Sequence, residues 1–130
     1  MAEFSDALRI LASGMKAQGQ RIRHVSENIS NADTPGYRRK MVAFKEMVSG
    51  GTPTGEVEVG RVLLDRSTLR AVHDPSHPMA DANGFYDGSN VNVILEIADA
   101  REAQRSYEAN LKMFEQTRQM SSRLYQIISR

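Results

Sequence analysis

Cysteine is absent from the 130 residues, so the chain can form no disulfide framework, no thiolate nucleophile and no Cys-ligated zinc site. A charge excess of either sign is also missing. Seventeen basic side chains stand against 16 acidic ones, for a net charge of +1, and nothing supplies the positive bias that counterion release on a nucleic-acid backbone requires. Nucleic acid is not an expected partner. Long apolar runs are lacking too: no window approaches the roughly 20 residues of a membrane span, so membrane insertion is not expected. Arg9, Lys16, Arg21 and Arg23 interrupt the first thirty residues, where a cleavable signal would need an unbroken apolar stretch. The expectation is a soluble chain, or one exported without a cleaved leader. Its length fits one modest core.

What the chain has in quantity is helical periodicity. Phe4, Leu8, Leu11, Met15, Gln18, Ile22, Val25, Ile29 and Ala32 follow steps of four and three without a break, which is a heptad seam. A helix over that span is on the order of 40 Å long at 1.5 Å per residue. A second seam begins behind Asn92, a good N-cap with Glu96 in the first turn, and runs Val93, Ile97, Ala100, Gln104, Tyr107, Leu111 and Phe114. It then slips by one residue and resumes at Met113, Thr117, Met120, Leu124 and Ile127, so the helix is expected to reach Arg130. Gly14 and Gly19 each cost about 1 kcal/mol relative to Ala inside a helix. With Gln18 and Gln104 placing amides on the seams, the helix pair alone is marginal and expected to be completed by other subunits.

Residues 38–89 read differently. Gly50-Gly51, Pro53, Gly55, Pro75, Pro78, Asn83-Gly84 and Asp87-Gly88 crowd the segment with turn formers. Residues 56–64, EVEVGRVLL, read as a strand with which 69–73, LRAVH, can pair. Phe85 and Tyr86 are expected on a short strand between two turns. The predicted fold class is α+β, mainly α. Long N- and C-terminal helices pair as an antiparallel coiled-coil-like hairpin over residues 1–37 and 91–130, capped by a small β-rich middle module over 38–90.

No constellation at usable spacing points to catalysis. His73, Asp74 and His77 have the i, i+4 spacing of a zinc pair, but Pro75 and Pro78 forbid the helix that would present them, and only His24 remains as a further histidine. Solvated loop histidines are expected instead. Arg38-Arg39-Lys40 reads as a solvated edge rather than an anion site. The glycines sit in turns, not between a strand and a helix, so no phosphate cradle follows. No enzyme, cofactor, metal or small-molecule substrate is expected. A helical adaptor or export chaperone that takes a partner helix in its groove is the competing reading of the same seams.

Two stretches carry a resemblance. Ser26 to Lys40, SENISNADTPGYRRK, resembles the N-terminal motif of the bacterial flagellar axial proteins, the rod and hook family. Asp74 to Phe114 is similar to the last third of the family's proximal-rod members. There the matching features are Asp74-Pro75, Gly84-Phe85, Asn90-Val91-Asn92 and Arg105-Ser106-Tyr107-Glu108-Ala109-Asn110. The compact NADTPGYRR is also the form that a sibling proximal-rod protein tends to show.

The resemblance implies a structural subunit of the basal-body rod that crosses the periplasm, transmits torque and walls the export channel. It further implies export by the flagellar type III apparatus. The implied partners are copies of the chain and other proximal and distal rod proteins and the rod-base adaptor, with the terminal helices forming the inner tube. Expected assembly residues are Phe4, Leu8, Leu11, Met15, Ile22, Val25, Ile29, Ile97, Tyr107, Leu111, Phe114, Leu124 and Ile127, with Asn28, Asn31, Pro35, Gly36, Tyr37, Asn90, Val91, Asn92 and Asn110. At the helix exit, Asn28, Asn31 and Asp33 are expected to satisfy freed backbone groups, Pro35 and Gly36 to turn the chain out, and Tyr37 to anchor it against a neighbouring subunit.

Overall fold

A computed structural model describes residues 2–129; Met1 and Arg130, to which the predicted helices extend, lie outside the described residues. Helix α1 covers Ala2–Ser30, strands β1 (Lys40–Ser49) and β2 (Thr52–Leu64) follow, then β3 (Ala71–His73), β4 (Phe85–Asp87) and helix α2 (Val93–Ile128). Helix α2 contains neither Gly nor Pro over its 36 residues. Asn92 caps it, its side-chain oxygen accepting from the N–H groups of Ile94 at 3.1 Å and Leu95 at 3.4 Å.

The two helices pack against each other and run antiparallel. Arg21 pairs with Asp99, and Asn28 reaches Glu96. At the other end Gly14 lies against Asn110, where a Cβ would stand 2.8 Å from the amide nitrogen. The predicted helix pair is therefore present; of the first predicted seam Val25 and Ala32 are buried, while most other seam positions lie to one side of the buried face. Ala17, Val25 and Ala103 are buried with Asn28 and Glu96, whereas Phe4, Leu8, Leu11, Met15, Ile22 and Ile29 are half-buried. Small side chains let the helices approach closely, and the larger apolar residues stay outside.

Strands β1 and β2 form an antiparallel hairpin from Lys40↔Leu64 to Ser49↔Thr52, closed by Gly50 and Gly51 at φ 59° and 82°. The register shifts twice, between Val42 and Phe44 and between Glu46 and Val48. The extra β2 residues include Gly60, where a Cβ would meet the Ala43 carbonyl at 3.2 Å, and Gly55, at φ +82° against Ile10. These bulges bend the hairpin onto α1. There Ser13 Oγ accepts from the Val57 N–H at 2.9 Å, and Arg9 faces Glu56 at 3.4 Å. The middle segment thus lies along α1 rather than capping the helix pair.

Two strand expectations are corrected. Residues 69–73 do not pair with 56–64; β3 instead pairs with β4, Val72 opposite Tyr86. The true partner of β2 is Lys40–Ser49, unassigned from sequence and brought alongside by a two-residue turn, the shortest closure available. Strand β4 does hold Phe85 and Tyr86, as expected. His73 is exposed at the end of β3, its ring meeting Phe85 edge-on with centroids 4.7 Å apart, and the half-buried loop residue His77 stacks on Tyr86 at 3.9 Å.

Candidate assembly surface

At the end of α1, the Asn-rich stretch builds a polar junction that joins both helices to the base of the hairpin. Asn28 has no exposed surface. Its Nδ2 donates to the Lys40 carbonyl at 3.0 Å and to Glu96 Oε2 at 3.3 Å, while its Oδ1 accepts from the Lys40 N–H at 2.9 Å and the Tyr37 hydroxyl at 2.8 Å. All four hydrogen-bonding positions of that amide are filled. Asn90 clamps the preceding residue: its Oδ1 accepts from the Arg39 N–H at 2.6 Å, and its Nδ2 donates to the Asp65 carbonyl at 2.8 Å.

Charges complete the junction. Glu96, 1% exposed in the first turn of α2, is paired with Arg39, which also lies 3.8 Å from Asp65. A buried carboxylate is costly unless its partners are in place; here a guanidinium, an amide and the helix N-terminus all face it. Lys40 Nζ contacts Glu27 at 2.6 Å. The hydrogen bond from Lys40 holds the Glu27 carboxyl below its ordinary range, and the same bond raises the Lys40 ammonium. Arg38 donates to the Ser67 carbonyl at 3.0 Å. The run Arg38-Arg39-Lys40 is therefore not a solvated edge but a set of bridges.

Asn31 Nδ2 donates at 2.9 Å to the Glu27 carbonyl at the helix end, a group that also accepts from the Asn31 N–H at 3.1 Å and so is not a freed one. Asn28 serves the strand instead of the helix terminus, and Asp33 makes no side-chain hydrogen bond among the described residues. Gly36, at φ +73°, turns the chain so that its N–H meets the carbonyls of Asp87 and Gly88 at 3.1 and 3.2 Å, with Pro35 half-buried before it. Tyr37 is half-buried, and its hydroxyl donates within the chain to Asn28 Oδ1. Burial raises that phenol above its ordinary value. Val91 is buried between the two asparagines at 4% exposure.

Away from the junction the apolar positions are open. Val93, Ile97, Tyr107 and Leu111 of the first α2 seam are 37–42% exposed, and Met113, Met120, Leu124 and Ile127 of the second reach 40–69%. Phe114 is half-buried. Sequence reasoning missed Arg39, Lys40, Asp65 and Glu96 as members of the junction. The one signal was Glu96 beside a good N-cap, which reads equally well as an acid complementing the helix dipole.

Comparison with known proteins follows the same division. The family described as "Flagella basal body rod protein" matches residues 8–38, and the one described as "Flagellar basal body rod FlgEFG protein C-terminal" matches residues 82–127. The flagellar basal-body rod protein FlgC of Agrobacterium fabrum is 44% identical over 127 residues, covering 92% of this chain and 91% of the relative. FlgC of Salmonella typhimurium is 33% identical over 85% of this chain and 87% of its own. FlgC of Bacillus subtilis is 31% identical over 93% and 95%. The matched ends hold Asn28, Tyr37, Asn90 and Glu96 of the junction and most of both helices, and with relatives this similar over nearly the whole length, the chain belongs to the FlgC family of flagellar basal-body rod proteins.

Proposed function

We propose that the chain is a non-enzymatic structural subunit of the flagellar basal-body rod that polymerises through the outward stripes of its two helices. The observation that carries this is surface. The chain exposes 9229 Å², whereas a globular monomer of 14.5 kDa exposes about 6,900 Å². The excess of about 2,300 Å² exceeds what one standard interface covers, about 800 Å² per partner. A dimeric adaptor or chaperone needs one such interface; a subunit inside a shaft needs several. Few large side chains are buried, so neighbours supply what the chain's own core lacks.

On this reading the polar junction sets the depth at which the chain leaves the helical layer, and the hairpin lies outside. The finer expectations belong here as well: neighbours among proximal and distal rod proteins and the rod-base adaptor, passage through the type III apparatus without a cleaved signal, and a periplasm-spanning position that transmits torque and lines the export channel.

The test is the double variant Ile97→Glu, Leu111→Glu. Both positions are exposed, so helix content by circular dichroism should stay unchanged while purified basal bodies lose the subunit and cells lose motility. Normal basal bodies from that variant would overturn the assignment of these stripes to assembly.

A further inference from the structure

The apolar stripe of α2 changes sides partway along. At about 100° per residue, Ile97 and Leu111 point roughly a quarter-turn to one side of the line through Ala103 and Asn110, the residues that meet α1. Met113, Met120 and Ile127 point roughly a quarter-turn to the other. The one-residue slip between Phe114 and Met113 is what switches the face.

The antiparallel partner extends this division. Leu8, Leu11 and Met15 stand about a quarter-turn from Gly14 and Arg21, on the side that Ile97 and Leu111 share. Ser13 and Ala17, against which the hairpin lies, face the opposite way. One helix pair therefore shows two apolar faces on opposite sides, a first face around Leu11 and Leu111 and a second around Met113 and Met120. On the second, Met113 is 52% and Met120 58% exposed.

We infer that the two faces are complementary halves of one heterologous contact, in which the Met113–Met120 face of one copy of this chain packs on the Leu11–Leu111 face of the next. The inference rests on the rod-subunit reading above and deepens it by naming the partner and the pairing. A two-fold dimer would use one face twice and leave the other in water. With about 2,300 Å² of excess surface, against about 800 Å² per partner in a standard interface, both faces need cover. Repeated use of two different faces adds subunits in one direction without closing into a pair.

The absence of cysteine makes the test clean. Single variants Leu11→Cys and Leu111→Cys mark the first face, Met113→Cys and Met120→Cys the second, and none can bridge within one chain. Pairs of variants, one of each pair tagged, are co-expressed in cells and treated with a short bismaleimide, and the adducts in purified basal bodies are counted. Mixed first-face and second-face adducts should exceed same-face adducts by about tenfold, as heterologous packing requires. Predominance of same-face adducts, or no adduct between variants that do enter basal bodies, overturns the pairing and leaves the rod reading standing. If the unaltered, cysteine-free chain is itself missing from basal bodies, the rod reading falls and takes the pairing with it.

Discussion

The side-chain amide of Asn28 pairs with the backbone of Lys40 as a neighbouring strand would, donating to its carbonyl at 3.0 Å and accepting from its N–H at 2.9 Å. A helix residue thereby supplies the ladder contacts for the first residue of a strand twelve positions on. Both partners of that contact are tied further, Asn28 to Glu96 of α2 and Lys40 to Glu27 of α1. The direction in which the hairpin leaves the helices is fixed by this one amide more than by any apolar contact, because large buried side chains are scarce.

Replacing Asn28 with Ala should accordingly cost about 3 kcal/mol, the penalty for stranding several buried polar groups at once. Asn28→Asp is the sharper variant. It keeps the shape but loses both donors and places a second carboxylate beside Glu96, so its urea midpoint should fall as far as that of the Ala variant. An Asp variant within about 0.5 kcal/mol of the parent would show that Asn28 acts by filling space, and the bracket would be incidental.

The two helix glycines should respond differently to the same change. Gly19 has nothing within 4 Å of its would-be Cβ, so Gly19→Ala should realise the full helix-propensity gain of about 1 kcal/mol. At Gly14 the added carbon meets Asn110 Nδ2 at 2.8 Å. That amide is the far end of a flexible side chain and can turn away, which offsets part of the gain, while Gly14→Leu should force the helices apart. Thermal melts of the three variants check the order Gly19→Ala above parent, Gly14→Ala near parent and Gly14→Leu below it. Equal stabilisation by both Ala variants would mean that the close approach at Gly14 contributes nothing.

How far this could be read from the sequence depended on the range of the contacts. The helices were legible because a four-three apolar rhythm is local, and Asn92 announced its cap through residues two and three positions away. Strand β1 was not: KMVAFKEMVS alternates poorly, since the strand is bent by bulges and mostly exposed, leaving no period-two burial to detect. The junction was half legible. Asn28, Asn31, Gly36 and Asn90 stood out as helix breakers and motif residues, but their partners did not, because Asn28 to Glu96 spans 68 positions and Arg39 to Glu96 spans 57. The seams misled on one point. They met the buried face only at Val25 and Ala32; elsewhere that face is the small and polar one beside them, and close approach at Gly14 and Ala103 outweighs apolar area within the isolated chain.

Acid should loosen the junction before it melts the helices. Asp65 is held below the usual carboxylate range by the backbone N–H of Ser67 at 2.8 Å, then by the Ser67 side chain, with Arg39 and Arg38 adding to it. Glu27 is lowered in the same direction by Lys40. A depressed folded-state value means that the contribution is complete above the ordinary carboxylate range and disappears as pH falls through the lowered value. Melting temperature should thus be level from about pH 7 to pH 5 as far as these groups decide it, and fall below about pH 4. On the alkaline side, the raised Lys40 and Tyr37 make contributions that are complete below about pH 10 and lost as pH climbs through their raised values. Asp65→Asn keeps an acceptor for Ser67 but removes the titrating group, so its melting temperature should fall less steeply between about pH 4 and pH 3 than that of the parent. Identical acid slopes would remove Asp65 from the account and leave Glu27 with Lys40 as the acid-sensitive pair, which Lys40→Gln would then flatten in turn.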